Sequence, residues 1–165
     1  ALVAMEQHIP AFTLITQNVD GLHRRAGSQR VLELHGNLFA TKCFSCGKAV
    51  EHWADSSEVP PRCPFCSDRL RPDVVWFGET LPLTILQEAE TATLECQVFL
   101  SIGTSTVVYP AAELPFTALR GGATVVEINP QPTPLSTQAD FVLQGKSGEV
   151  LPALVAATWG NQISS

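Results

Sequence analysis

The sequence predicts an α/β fold with a mainly parallel sheet and one small inserted module. Two observations carry this prediction. Short apolar runs rich in β-branched residues alternate with stretches of helical character, which is typical of parallel strands joined by helices. Between residues 41 and 72 the composition changes, since four of the five cysteines and five basic residues fall there. We therefore expect an α/β domain from residues 1–40 and 73–165, and a small domain from residues 41–72.

Six apolar runs are predicted as strands and four stretches as helices. The strands are expected at about residues 13–16, 31–36, 73–79, 97–105, 123–130 and 140–145. The helices are expected at residues 1–7, 84–94, 110–120 and 148–160. Thr84 and Gln87 have the spacing of a capping box, and Pro110 suits a first helical turn. Pro152 should fall near the first turn of the last helix, and Gly78 should end the strand expected at residues 73–79.

Composition and charge argue against several classes of protein. Apolar residues make up 45% of the chain and charged residues 16%, which is ordinary for a globular protein. A formal net charge of −6 and a pI of about 5.1 argue against nucleic-acid binding, which usually needs a basic surface. No apolar run approaches the roughly 18 residues of a membrane span, and the first residues do not resemble a signal peptide. We therefore expect a cytoplasmic protein without membrane or nucleic-acid partners.

The clustered cysteines have the spacing C-x2-C-x16-C-x2-C, which is typical of a zinc site. Each pair presents two sulfurs to one ion, and two pairs complete a tetrahedron without an open position for water. Such a site is structural. An iron site, two disulfides or a redox pair are the alternatives, although a reducing compartment disfavours disulfides. Cys96 stands apart and is predicted to be a buried core thiol.

Polar residues follow the first predicted strands. Gln17, Asn18 and Asp20 come directly after the first strand, where ligands bind in open α/β sheets. A capped turn explains the same residues equally well, because Asn, Asp and Gly are turn formers. His35 follows the second strand, and a neutral imidazole there can accept a proton, although a lone histidine is more often structural. The other histidines are weaker candidates: His8, His23 and His52.

Two later strand ends suggest part of a nucleotide site. Gly103 permits close backbone approach, and the hydroxyls of Thr104 and Ser105 can reach phosphate or ribose. Asn129 ends the "VVEIN" strand and can hold a ribose hydroxyl, or simply cap a turn. The sequence contains no G-x-G-x-x-G motif, so the usual phosphate loop of a dinucleotide fold is absent from it.

In their order and separations, these segments together resemble the sirtuins, a family of NAD-dependent protein lysine deacylases: "TQNVDGLHRRAG", "ELHG", the two cysteine pairs, "VVWFGE", "GTS", "VYPAA" and "EIN". The resemblance covers nearly the whole chain, from about Phe12 to Pro152. It implies a Rossmann-like parallel sheet with an inserted zinc-ribbon module. The family begins with a strand and a Gly-Ala-Gly phosphate loop, and this sequence has neither. We therefore expect an incomplete sheet in a truncated chain that can self-associate.

The resemblance also implies a role for each matched residue. His35 is implied as the general base that acts on the nicotinamide ribose. The residues implied in binding NAD are Gln17, Asn18, Asp20, Gly103, Thr104, Ser105, Asn129, Lys146 and Ser147. Those implied in binding the acyl-lysine peptide are Val75, Phe77, Gly78 and Glu79, the last two by strand addition. Those implied in holding a structural zinc ion are Cys43, Cys46, Cys63 and Cys66.

The implied reaction explains these residue types. In the family, the acyl oxygen of the substrate lysine attacks C1′ of the nicotinamide ribose, nicotinamide leaves, and a base takes a ribose proton. The products are lysine, nicotinamide and O-acyl-ADP-ribose. "VVWFGE" and "GTSTVVYPAAE" resemble a bacterial and mitochondrial subgroup that also removes acidic acyl groups such as succinyl. Two other hypotheses stay open: mono-ADP-ribosyl transfer at the same NAD site, and a catalytically inactive, zinc-stapled remnant that acts as a binding module.

Overall fold

The computed structural model describes residues 1–54 and 58–160 as an α/β fold. The helices are α1 (Leu2–His8), α2 (Leu22–Arg25), α3 (Leu83–Glu95), α4 (Leu114–Arg120) and α5 (Ser147–Trp159), with a 3-10 turn at Ala111–Glu113. The strands are β1 (Leu14–Thr16), β2 (Val31–Glu33), β3 (Gly36–Cys43), β4 (Leu70–Val74), β5 (Val98–Ile102), β6 (Thr124–Asn129) and β7 (Phe141–Gln144). Among the described residues, no helix is both long and apolar enough to cross a membrane.

The strands form three sheets, and two of these are parallel. β1 pairs with β2, and β5, β6 and β7 form a three-stranded sheet in chain order. β3 and β4 form an antiparallel hairpin whose base pairs Gly36 with Val74 and whose far end pairs Cys43 with Leu70. The prediction of an α/β fold with parallel strands is therefore confirmed, with the parallel strands divided between two sheets.

Buried apolar side chains hold each layer in place. Helices α1 and α5 pack on β6 through Met5, Ile128 and Val155, so the only methionine of the chain is a core residue. On the other side, Leu34 packs with Ala89 of α3 and with the start of α4. A separate small core lies in the hairpin module, where these four residues meet: Cys43, Val50, Cys63 and Leu70.

Four local predictions were wrong in detail. The strand expected over residues 73–79 ends at Val74, because the next residues form a turn in which the Glu79 N–H donates to the Trp76 carbonyl. Helix α3 begins at Leu83 after Pro82, so Thr84 lies inside the helix and caps nothing. A 3-10 turn follows Pro110 before α4 begins. Pro152 lies in the second turn of α5, where its ring removes a helical N–H donor.

Candidate active site

The carboxyl ends of β1, β5 and β6 meet at Thr104. The Gln17 side-chain amide donates to the Thr104 hydroxyl at 3.3 Å, and the Asn129 side-chain amide donates to the Thr104 carbonyl at 2.8 Å. Gln17 lies 87 positions and Asn129 lies 25 positions from Thr104 along the chain, and the three residues form one polar cluster. The structure thus brings together three of the residues that the resemblance implied in binding one ligand.

His35 lies against this cluster with a defined ring orientation. Its Nδ1 is 3.0 Å from the Gln17 carbonyl oxygen. A carbonyl oxygen can only accept, so the contact is a hydrogen bond when Nδ1 carries the proton. In the neutral ring, Nε2 then keeps its lone pair and is the nitrogen able to take a proton from a ligand. The His35 carbonyl accepts from the Val75 N–H at 2.9 Å, which fixes the backbone at this position.

The residues after Gln17 form a turn that leads directly into helix α2. The Asn18 N–H donates to the Thr16 hydroxyl at 3.1 Å, and its side chain is exposed. One Asp20 carboxylate oxygen accepts from the Leu22 N–H at 3.0 Å. The capped-turn interpretation therefore holds for Asp20, whose second carboxylate oxygen is still able to meet a ligand. Thr16 was missed from sequence, because a threonine at a strand end is ordinary.

The loop after β5 has an unusual backbone. Gly103 has a φ of 61° and its N–H donates to the Ile128 carbonyl at 2.9 Å. Ser105 is exposed, while Thr106 is buried with a φ of 53°, which is rare for a β-branched residue. Such backbone strain concentrates at functional sites. This loop presents the Gly103 to Ser105 backbone toward the Asn129 side of the cluster.

The start of α5 is joined to the same edge. The Gly145 N–H donates to the Asn129 carbonyl at 3.2 Å, which places the end of β7 beside the end of β6. Lys146 follows as the residue before the helix, exposed, and its carbonyl accepts from the Val150 N–H at 3.0 Å. Ser147 is half-buried at the first helical position. Lys146 and Ser147 are thus the first and second residues after Gly145, whose backbone is bonded to Asn129 of the polar cluster.

The proposed peptide-binding residues form a separate turn after β4, referred to below as the 75–79 segment. The Phe77 side chain is fully exposed, at 103% of its reference area, and Gly78 has a φ of 89°. The Trp76 N–H donates to the Glu79 carboxylate at 3.0 Å, and the Glu79 N–H donates back to the Trp76 carbonyl at 2.9 Å. A fully exposed aromatic side chain on a hydrogen-bonded turn, such as Phe77, is typical of docking surfaces.

The four clustered cysteines fit a metal ion. Their sulfurs all lie within 4.8 Å of one another, with Sγ–Sγ distances of 3.4 Å for Cys43–Cys66 and 3.9 Å for Cys46–Cys63. A tetrahedron of sulfurs at about 2.3 Å from zinc has edges of about 3.8 Å, so the two agree. All five cysteines are free thiols, and Cys96, half-buried, donates to the Thr93 carbonyl at 3.2 Å.

The thiols need a cation to be ionised together. The backbone N–H of Cys46 is the largest influence on Cys43 and helps hold the pKa of that thiol at about 7. At Cys66 the Asp68 N–H acts to lower the pKa, but burial and hydrogen bonds with the Cys43, Cys46 and Cys63 sulfurs together raise it to about 12. The Cys66 thiol thus keeps its proton at neutral pH. A divalent ion at the centre of the four sulfurs would instead favour the deprotonated form of all four thiols.

Parallel strands with a polar cluster at their carboxyl ends, together with a four-cysteine hairpin, define a Rossmann-like α/β protein with a metal-binding insertion. A model of the Sir2 family matches residues 1–110. The chain belongs to the Sir2 family.

Relatives and solved structures agree with this assignment. An NAD-dependent protein deacylase of Aquifex aeolicus is 51% identical over 147 residues, which are 88% of this chain and 62% of that protein. One from Pyrococcus furiosus is 50% identical over 162 residues, 94% of this chain and 64% of that protein. The crystal structure of a Sir2 homologue in complex with NAD matches with a TM-score of 0.86 at 44% identity, covering 93% of this chain and 60% of that one.

A structure of Sir2 bound to an acetylated peptide also matches, with a TM-score of 0.85 at 36% identity, covering 94% of this chain and 68% of that one. The chain spans less than two thirds of the length of the two deacylases that it matches.

Proposed function

We propose that this chain is part of an NAD-dependent protein lysine deacylase. The observation that carries the proposal is the cluster of Gln17, Thr104 and Asn129 at three strand ends, with the His35 ring bonded to the Gln17 carbonyl. Open α/β sheets bind ligands at this edge. Family membership supports NAD as the ligand, since a Sir2 homologue was solved in complex with it.

Each part of the cluster has a task in this proposal. When bound, NAD supplies a ribose carbon with a good leaving group. The amides of Gln17 and Asn129 and the loop at Thr104 hold the ribose hydroxyls and phosphates. With NAD bound, the Nε2 of His35 would be the atom that accepts a proton from a ribose hydroxyl. The bond from Nδ1 to the Gln17 carbonyl keeps the ring in the required tautomer and orientation.

The substrate in the proposal is an acyl-lysine in an extended peptide. Support comes from a relative solved with an acetylated peptide and from the exposed 75–79 segment. Phe77 would contact the acyl-lysine chain. The Glu79 N–H is already bonded to the Trp76 carbonyl, so strand addition would use the Gly78 N–H and the Glu79 carbonyl instead. Acetyl and succinyl groups are both candidate acyl groups.

The four cysteines hold a zinc ion in this proposal, and its contribution is to the fold. A site closed by four thiolates has no position for substrate or water. The ion would fix the far end of the β3–β4 hairpin, and β4 leads directly into the 75–79 segment. The zinc therefore acts on the reaction only through the shape of the module.

The test uses the full-length protein that contains this chain, with NAD and matched acetyl-lysine and succinyl-lysine peptides. Mass spectrometry should find deacylated peptide, nicotinamide and O-acyl-ADP-ribose in equal amounts. A peptide with unmodified lysine is the control and should release no nicotinamide. ADP-ribose attached to a protein, without loss of acyl groups, would instead support ADP-ribosyl transfer. Absence of NAD binding and turnover would reject the enzyme and favour a binding module.

A further inference from the structure

Arg71 is the hub of contacts between the cysteine module and the 75–79 segment. It lies on β4, and its side chain is only 11% exposed. Its Nη1 donates to the Val74 carbonyl at 2.9 Å, and its Nη2 forms an ion pair with Glu79. The guanidinium carbon lies 4.2 Å from the centre of the Trp76 ring. One side chain thus contacts the residue before the segment and two residues within it.

The same guanidinium also contacts the module. Its carbon is 5.7 Å from the centre of the Phe44 ring, and Phe44 and Trp76 lie 6.1 Å apart in a tilted arrangement. Phe44 directly follows the candidate metal ligand Cys43. The aromatic rings and the cation therefore form a continuous layer from the cysteine cluster to the 75–79 segment.

Glu79 depends on this arginine for its position. Its carboxylate accepts from Arg71 on one side and from the Trp76 N–H on the other, and these two bonds close the turn. The hydrogen bond with Arg71 is the largest cause of a lowered pKa at Glu79, as expected for a carboxylate held by a cation. Phe77 lies between Trp76 and Glu79, which these bonds join, and it is fully exposed. Packing of the Phe77 side chain therefore does not fix the turn.

We propose that Arg71 is a positioning residue for the acyl-lysine peptide. It acts through Glu79 and Trp76, which it holds so that Phe77 and Gly78 face the incoming peptide. The inference rests on the proposed deacylase function and adds a determinant of peptide affinity outside the NAD site. Lysine cannot replace it fully, since an ammonium group lacks the planar fork and the stacking surface that make these contacts at once.

The test compares Arg71→Ala and Arg71→Lys with wild type in the full-length protein. Arg69→Ala is the matched control, because Arg69 is exposed just before the same strand and is bonded through its own N–H to Asp68. We expect Arg71→Ala to raise the peptide KM about tenfold while the NAD KM stays within about twofold. Arg71→Lys should recover part of the loss. Zinc content should stay unchanged in all three variants.

A second readout needs no turnover. Hydrogen exchange of the Trp76 and Glu79 amides, followed without substrate, should accelerate in Arg71→Ala and not in Arg69→Ala, because both amides are bonded inside the turn. In a double-mutant cycle, Arg71→Ala with Glu79→Ala should be no worse than the more damaging single change.

Three results would overturn the inference. One is an unchanged peptide KM and unchanged exchange in Arg71→Ala. Another is an equal rise of the NAD and peptide KM values, which indicates a general loss of structure. The third is full additivity with Glu79→Ala. If the wild-type protein turns over no acyl-peptide, the proposed function fails, and the exchange measurement alone still decides whether Arg71 holds the turn.

Discussion

The two nitrogens of the His35 ring have different surroundings, and this leads to the first prediction. Nδ1 is bonded to the Gln17 carbonyl, which leaves Nε2 as the basic atom. We expect His35→Ala in the full-length protein to lower deacylation by about 100-fold or more, the usual share of a general base. Binding of NAD and peptide should change little, because the base acts on a later species than the bound substrates.

The comparison variant is His52→Ala, since His52 is exposed and lies in the cysteine module. It should keep wild-type rates with both peptides. Steady-state rates and NAD affinity, measured side by side, decide the question. Near-normal turnover in His35→Ala would make His35 a structural residue and direct attention to His23.

The residue after His35 sets the second prediction. Gly36 has a φ of 78°, and a Cβ atom built there would lie 2.0 Å from the Asp73 carbonyl oxygen. Gly36→Ala should therefore lower the free energy of unfolding by about 2–4 kcal/mol, from backbone strain and a clash that only a backbone shift can relieve. Urea denaturation followed by circular dichroism measures this.

Gly148→Ala provides the contrast within the same chain. Gly148 lies in helix α5 and has open space around a built Cβ. That change should stabilise the protein slightly, by up to about 1 kcal/mol, because alanine favours helix. If the two substitutions changed the free energy of unfolding equally, the clash with the Asp73 carbonyl would not be what destabilises Gly36→Ala.

Residue types at strand ends predicted where the site lies, but not how it is held. Gln17, His35, Thr104 and Asn129 were all proposed from sequence, since each lies at the end of a predicted strand or directly after it. Their mutual bonds depend on the packing of sheets far apart along the chain, which no local pattern encodes. Arg71 was grouped with the basic residues around the cysteines, and its contacts with Trp76 and Glu79 depend on a turn that the sequence did not predict.

Among the elements, the connection between β6 and β7 has an internal anchor. Glu127 is 1% exposed, and its carboxylate accepts from the hydroxyls of Thr133 and Ser136. We expect Glu127→Ala to lower the free energy of unfolding by about 2–4 kcal/mol, because two half-buried hydroxyls lose the carboxylate that accepts from them. Glu127→Gln, which keeps the shape and one acceptor, should cost less. A loss no larger for alanine than for glutamine, in urea titrations, would contradict the anchor.

The cysteine hairpin supports the fourth prediction. Cys63→Ser should lose the metal and unfold the module, because a structural zinc ion contributes about 10–16 kcal/mol of binding free energy that depends on all four ligands. Cys96→Ser, outside the cluster, should keep both metal and fold. Elemental analysis should find about one zinc per wild-type chain. Iron in its place, or unchanged zinc content in Cys63→Ser, would refute the site as described.

Element types were predicted better than element ends. Four of the five helices and five of the seven strands in the described residues were expected near their observed positions, because their apolar periodicity is strong. Helix α2 and strand β3 were not predicted, and strand β4 was predicted a few residues too late. The ends depend on single contacts. The strand that was predicted to continue through the apolar run 74–77 ends before the turn closed by the bond between Trp76 and Glu79. Pro82 rather than Thr84 precedes helix α3.

For the molecule as a whole, exposed apolar side chains predict association. Phe39, Phe77 and Tyr109 are each at least 68% exposed, and Val59 is 89% exposed. Exposed apolar surface of this kind favours contacts between copies. We expect the isolated 165-residue chain to self-associate as its concentration rises, as measured by light scattering. A monomer at all concentrations tested would contradict this expectation.

The base of the β3–β4 hairpin has a consequence for protein engineering. Gly36 pairs with Val74, and the next pair joins Asn37 with Asp73, so the chain leaves and re-enters the α/β part at almost one point. An inserted segment whose two ends lie side by side can be replaced by another, since the entropic cost of closing a loop depends only weakly on its length. The cysteine hairpin is thus a segment that can be replaced as a unit. A shorter tight turn or a foreign metal-binding loop grafted at this junction would leave His35 on one side and the 75–79 segment on the other.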